Sequence, residues 1–372
     1  MLRLPGTLMR GGTSKCWMFD EAAMPAEPSL DRVLAAAFGS ADPRQIDGVG
    51  GATSTTSKAA IVRKSVDADV DVEYLFAQVG IGVVGVEWGS NCGNCATAVG
   101  LYALQTGLVP ATDPVSVVRM RNRNTEAVLT ATVPTPDGIV PELGGQTVPG
   151  STAAGVPVAL GFLNPAGTST GRLLPTGNPV DRVDSAEATL IDAGAPAMLA
   201  DAVRLGATAH ESIEEFEAFV PELSRLRRLG ALRMGLDSPQ DPVRHGVPKV
   251  GVVGAPGPYR TSAGVEVPAA DHDLAVRMLS MHAPHPAIGL TSAVAVATGV
   301  VTTGTLAATL AGNRPSEISI RLGTPAGVVP VDIDLDDSGA VRAVTLHRAA
   351  RRIATAELLV PVRVPVPGSL AP

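Results

Sequence analysis

Apolar residues along the chain fall mostly into short continuous or alternating runs rich in β-branched side chains. These predict strands over Lys58 to Arg63, Val70 to Val79, Val115 to Arg121, Ala127 to Val133, Val156 to Phe162, Lys249 to Val253, Glu317 to Leu322 and Val328 to Leu335. Helical periodicity is rarer. It predicts helices over Leu30 to Phe38, Cys92 to Gln105, Ala195 to Leu205, Ile213 to Leu229, Leu274 to Met281 and Ser292 to Val301, several of them closed by Gly or Pro. Strands in both halves without regular βαβ alternation read as an α+β protein, and no fixed-period repeat points to a solenoid or propeller. One looser echo stands out. Asn91-Cys92-Gly93-Asn94-Cys95 opens one very apolar helix and Gly289-Leu290-Thr291-Ser292 opens another. A helix apolar all round is buried, so each would lie at the centre of its own half. Two such helices suggest a duplicated architecture with ligand between their N-termini, although any two buried helices can begin this way. Pro- and Gly-rich segments at Pro134 to Gly155 and Pro165 to Pro179 are candidate boundaries. We place the division near residue 180, giving halves 1–180 and 181–372, with the C-terminal strands free to cross back.

Composition narrows this picture. A 372-residue chain with 45% hydrophobic and 17% charged content can bury two ordinary cores, and with only 3% aromatics those cores must be built from small aliphatic residues. Net charge is -7 without a Lys/Arg block, which argues against nucleic acid or an anionic membrane as partner; an acidic ligand would have to be held locally. The opening stretch lacks the apolar core of a signal peptide and no 18-residue apolar span follows, so a cytoplasmic location is expected. Three cysteines, Cys16, Cys92 and Cys95, are a poor basis for a disulfide framework.

Four constellations could carry chemistry. Arg10 to Lys15 (R-G-G-T-S-K) is a Gly-rich turn without phosphate-loop spacing; it could offer amides and hydroxyls to a carboxylate, or be a strand-end turn that needs glycine. Gln45 to Lys58 (Q-I-D-G-V-G-G-A-T-S-T-T-S-K) leads a polar loop into a strand at Lys58. A desolvated lysine there could be a neutral base; the bland alternative is an ordinary surface lysine. Trp88 to Cys95 (W-G-S-N-C-G-N-C) sets a cysteine at a helix N-terminus, where the macrodipole and free amides lower a thiol pKa and attract anions. Inert core cysteines, disulfide exchange and zinc are the competing readings, the last weakened by scattered histidines and no second Cys pair. Arg277, His282 and His285 precede the second apolar helix, and Arg277 could clamp a carboxylate in bidentate fashion. The polar turn Leu173 to Asn178 (L-L-P-T-G-N) has no reading from its residues alone.

Taken in order, M-R-G-G-T-S-K, the Q-I-D-G-x-G-G run ending in T-S-K, D-V-E-Y-L-F-A-Q-V at Asp71 to Val79, N-C-G-N, L-L-P-T-G-N, V-P-K at Val247 to Lys249 and H-P-A-I-G at His285 to Gly289 resemble the PrpF-like family. That family includes 2-methylaconitate, methylitaconate and 4-oxalomesaconate isomerases. The resemblance implies a diaminopimelate epimerase-like fold: two pseudo-symmetric halves, each a curled sheet around a central helix, with the site in the cleft. It implies a cofactor-independent isomerase without a metal, in which Lys58 and Cys92 are the acid/base groups. Thr13, Ser14, Asn91, Gly93, Asn94, Arg277, Thr291 and Ser292 are, by matching positions, candidate carboxylate contacts. Racemases of this fold use two cysteines, whereas here the second half offers Thr291 and Ser292, so a 1,3-allylic or cis-trans proton shift in an unsaturated polycarboxylate is expected instead of racemisation. Two segments depart from the pattern: His347 to Arg352 (H-R-A-A-R-R) stands where relatives often show an R-T-A-R-type run, and Leu290 to Ser292 (L-T-S) where several show T-G or F-G. The alternative class is a non-catalytic carboxylate-binding accessory to an aconitase-like dehydratase. A homodimer is the default expectation.

Overall fold

The computed structural model describes residues 1–88, 92–244, 246–313, 316 and 318–362. The chain packs as two units, Met1–Leu160 with the stretch from Arg348 onward, and Gly161–His347. The first unit thus ends before the Pro/Gly-rich stretch near 180 from which the sequence division was drawn, and regains the chain at Arg348. Within the first unit, the last part of the long strand Val341–Val360 pairs antiparallel with Leu2–Gly11.

The two units share one succession of strand pairings. In the first, Leu2–Gly11 and Ser14–Asp20 form an antiparallel hairpin. Ser14–Asp20 runs parallel to Lys58–Lys64, which is antiparallel to Val72–Val79, which is parallel to Val115–Asn122, itself antiparallel to Val128–Pro134. In the second, Ala186–Ala193, Ala195–Asp201, Lys249–Gly254, Leu274–Ser280, Ser319–Thr324 and Gly327–Leu335 repeat that order of antiparallel and parallel pairs. In each unit an amphipathic helix follows the second strand (Leu30–Phe38; Val220–Arg233), and a mostly apolar, buried one follows the fourth (Gly93–Gln105; Leu290–Val301).

Burial explains the division of labour. Leu30–Phe38 presents Val33, Leu34 and Phe38 to Trp17, Phe19, Ala59 and Ala77, one set of alternate positions on the sheet. Val220–Arg233 does the same in its unit with Leu223 and Leu226 against Leu190, Met198, Val250 and Val252. Every residue of Leu290–Val301 is buried, as is Gly93–Gln105 from Cys95 to Leu104. Both helices were legible from their lack of a polar face.

Two predicted helices are strands. Ala195–Asp201 and Leu274–Ser280 are rich in Ala, Leu and Met, but each pairs on both edges and is buried on both faces, so neither shows the alternation of a half-exposed strand. Helix propensity differs by less than about 1 kcal/mol per residue. Burying one Leu or Val side chain is worth about 1.5 to 3 kcal/mol, so tertiary packing decides. The predicted strand beginning at Glu317 is described as Ser319–Thr324; Glu317 itself lies outside the described residues. No helix among the described residues is long and apolar enough to cross a membrane.

Candidate active site

The R-G-G-T-S-K motif is the tip of the first hairpin, with Gly11 paired to Ser14 across it. Glycine is required twice for contact with the first central helix. A Cβ at Gly11 would lie 1.9 Å from the Asn94 carbonyl oxygen, and one at Gly12, where φ is +52°, would lie 2.1 Å from the Asn94 side-chain oxygen. The tip therefore presses against the first turn of Gly93–Gln105. The Asn94 amide nitrogen donates to Thr13 Oγ1 at 3.0 Å and reaches Ser14 Oγ at 3.5 Å.

Lys58 is delivered by the second motif. It is the first residue of its strand, paired with Gln78, and only 9% exposed. Its Nζ donates to Gln78 Oε1 at 2.6 Å and stands 5.0 Å from the centroid of the Phe76 ring. Gln78 cannot turn freely, because its Nε2 donates to the Ser57 carbonyl at 3.0 Å. The loop before Lys58 is held by Gln45, whose Oε1 accepts from Ser57 Oγ (2.5 Å) and the Ala52 amide (2.8 Å).

Cys92 caps the helix with an extended backbone, and its thiol is an electrostatic neighbour of the Lys58 amine. Cys95 interacts with both Cys92 and Cys16, so the protein's three cysteines form one cluster at the lysine. Burial of the Lys58 ammonium works to lower its pKa, but attraction to Cys92, Cys95 and Cys16 outweighs this and the pKa is raised. The hydrogen bond to Cys95 and burial push the Cys92 thiol well above its ordinary value, against the opposing pull of Lys58. At rest the pair is an ammonium facing a thiol. The expectation of a lysine neutralised by burial is corrected on this point: burial acts as foreseen, and the thiol neighbours reverse the net effect.

Thr13, Ser14, Lys58, Cys92, Gly93 and Asn94 therefore gather at one helix N-terminus. Asn91 lies outside the described residues. In the second unit, Thr291 and Ser292 are buried in the first turn of Leu290–Val301, whose cap, Gly289, carries no side chain. Arg277 does not stand as the bidentate clamp expected of it: its Nε and Nη1 face backbone carbonyls, while its Nη2 is buried without a partner among the described residues. It is 1% exposed, its Nε donates to the Glu211 carbonyl (2.7 Å) and its Nη1 to the carbonyls of Val276 (2.9 Å) and Gly323 (3.2 Å), and it stacks over Tyr259. A bidentate clamp needs two parallel donors free on one edge, which this arrangement does not leave. His285 Nδ1 accepts from the Ala287 amide, bracing its turn. The L-L-P-T-G-N turn is bound to Asp181 through Thr176 Oγ1 (2.5 Å) and Asn178 Nδ2 (3.1 Å), a structural fastening.

Sequence reasoning missed Phe76, Gln78 and Arg348. Phe76 and Gln78 occupy alternate positions of one predicted strand and so share a face, a signal that was available. Arg348 is 5% exposed, and its Nη2 donates to Asn94 Oδ1 at 3.2 Å; nothing local in H-R-A-A-R-R marks it. A concavity of about 440 Å³ in the first unit, lined by Met18, Asp20, Tyr102 and Glu357 among others, shares no residue with this cluster, and its acidic lining disfavours anions. Among the described residues no group of three or more His, Cys, Asp or Glu side chains is arranged to hold a metal ion.

A family model described as "PrpF protein" matches residues 1–361. The 4-oxalomesaconate tautomerase of Pseudomonas putida is 39% identical over 354 residues, covering 94% of both chains. The 2-methyl-aconitate isomerase of Shewanella oneidensis is also 39% identical over 354 residues, covering 89% of both. A crystal structure of methylitaconate-delta-isomerase superposes with a TM-score of 0.84 at 31% identity, covering 96% of this chain and 95% of that one. A hydroxyproline epimerase from Agrobacterium vitis, at 11% identity and a TM-score of 0.51, covers 96% and 92% and shares the fold alone.

Proposed function

Since the chain belongs to the PrpF family and has the diaminopimelate epimerase-like fold, we propose that it is a cofactor-independent isomerase moving a proton within a small unsaturated di- or tricarboxylate. The names of its relatives point to 2-methylaconitate and 4-oxalomesaconate as substrates to try first. The observation that carries the reading is that the buried Lys58 amine and the Cys92 thiol are electrostatic neighbours at a helix N-terminus, two proton carriers where an anion is favoured.

The chemistry asks little beyond these groups. A C–H bond next to a double bond conjugated to a carboxylate is acidified because the electron pair left behind spreads into a dienolate. The pair works one proton short of its resting state. Lys58 as the free amine removes the proton, the double bond shifts, and the Cys92 thiol protonates the distal carbon; the proton on Lys58 then returns to sulfur. Electrons and protons balance without an external oxidant or reductant. Amides of the first helical turn, with Thr13, Ser14 and Asn94, hold the negative charge as it builds.

The test is exchange. Purified protein incubated with each candidate acid in deuterated buffer should incorporate deuterium at the allylic carbon, followed by NMR. Lys58→Ala should slow this by about 10²- to 10⁴-fold, the range for a positioned acid/base group. Binding of the acids without any exchange by the wild type would overturn the proposal in favour of a non-catalytic carboxylate-binding role.

A further inference from the structure

We propose that Arg348 anchors a substrate carboxylate remote from the reacting carbons, which makes the site selective for polycarboxylates; this rests on the isomerase reading for what the substrate is. Arg348 is 5% exposed. Its one recorded hydrogen bond goes to a neutral group, Asn94 Oδ1, and its Nε is buried with no partner among the described residues. The contrast with other arginines of the protein is in the partners. Arg63 and Arg321 meet carboxylates, Glu73 and Asp273, and Arg277 is engaged by three carbonyls. A buried cation without a counter-charge is costly and strongly favours any anion that can reach it.

Position separates Arg348 from Arg227 and Arg277, buried arginines that also have unpartnered nitrogens but lie on a helix and a strand of the second unit. Arg348 meets the site itself: Nη2 would be 3.1 Å from a Cβ on Gly12, and Asn94, which it holds, also contacts Thr13 and Ser14. Arg10, 9% exposed, donates to the Gly12 carbonyl and adds a second buried cation beside the same turn. Among the described residues, neither Arg10, Lys58 nor Arg348 has a carboxylate within ion-pair distance, although the protein as a whole carries a net charge of -7. Cys92 and Asn94 are two residues apart at the helix start, about 5 to 6 Å between Cα atoms. That is roughly the span of five atoms in an extended chain, so a substrate with its reacting carbon at the thiol would bring a carboxylate about four bonds away towards Asn94 and Arg348.

The experiment uses propane-1,2,3-tricarboxylate, a saturated triacid that cannot undergo an allylic shift, so binding is read independently of turnover. Its affinity is measured calorimetrically against that of butyrate, which keeps one carboxylate and lacks the others. The wild type should prefer the triacid; Arg348→Gln should weaken triacid binding by about 10- to 100-fold, the range for a charge-assisted hydrogen bond, and butyrate by much less, so that the preference collapses. A merely structural arginine would weaken both acids alike. Should Arg348→Gln fail to fold in a thermal melt, Arg348→Lys decides: it keeps the charge, loses the planar fork and should cost about 3- to 10-fold on the triacid alone. Unchanged preference in a folded variant, or no triacid binding by the wild type at millimolar concentration, overturns the anchor. Triacid binding that depends on Arg348 while no unsaturated acid is exchanged would refute the isomerase reading and leave the anchor standing.

Discussion

The two central helices occupy the same place in the same succession of strands, yet their first turns differ in kind. Gly93–Gln105 begins at a thiol in contact with a buried amine, with an asparagine two residues on that binds both the hairpin tip and a buried guanidinium. Leu290–Val301 begins at a glycine and follows it with two hydroxyl-bearing residues. Both ends offer free amides and a positive dipole, so both are suited to negative charge. Only the first brings an amine and a thiol to its N-terminus. The lesson is that a duplicated scaffold need not duplicate chemistry. An enzyme inverting a stereocentre wants two proton carriers on opposite faces of one carbon, whereas one shifting a double bond can work with both carriers in one half.

The comparison can be broken most sharply at Cys92. Cys92→Ala, which removes one proton carrier and leaves the helix cap tolerable, should lower kcat by about 10²- to 10³-fold, while Ser292→Ala in the second unit's central helix should leave kcat within a few-fold. Equal losses of kcat at both positions, read by steady-state kinetics, would mean that the second helix also handles protons. Next comes the packing of the hairpin tip. Gly12→Ala combines positive φ with a collision against Asn94 and should cost about 2 to 4 kcal/mol in a denaturant melt; Gly289→Ala, where φ is −65° and the nearest atom is 3.4 Å away, should cost under about 1 kcal/mol.

A smaller effect should appear in the pH profile. Lys58 and Cys92 both have raised pKa values, so below them the pair holds both protons and lacks a base; kcat/KM should therefore climb as pH rises above neutrality, with an apparent pKa belonging to the pair. Gln78→Leu removes the acceptor that favours the ammonium, and the climb should move to lower pH. A flat profile in the wild type, or a shift to higher pH in the variant, would contradict the proton count assigned to the resting site.

How much of this could be read in the sequence depends on the range of the forces involved. Lys58 at a strand start and Cys92 at a helix start were visible because a polar loop meeting an apolar run is a local signal. The strands Ala195–Asp201 and Leu274–Ser280 were misread because burial on both faces erases the period by which a strand is recognised. Arg277 and Arg348 show the same limit. Proximity to a predicted helix start favours Arg277, but its Nε and Nη1 face three carbonyls. Arg348 is brought to Asn94 by the pairing of Val341–Val360 with the first strand, in which Gly11 stands opposite Ala350, a partnership across the length of the chain.

Gln78 holds a final consequence. A glutamate has the same shape and would sit at Lys58 as a resident counterion, yet the chain uses the neutral amide. On the proposed function, the charge balance of this corner is completed by the acid that enters, and the guest acts as a removable part of the fold. Heat resistance should accordingly track the concentration of a fitting acid, and Gln78→Glu should make the protein sturdier when empty and nearly indifferent to its guest.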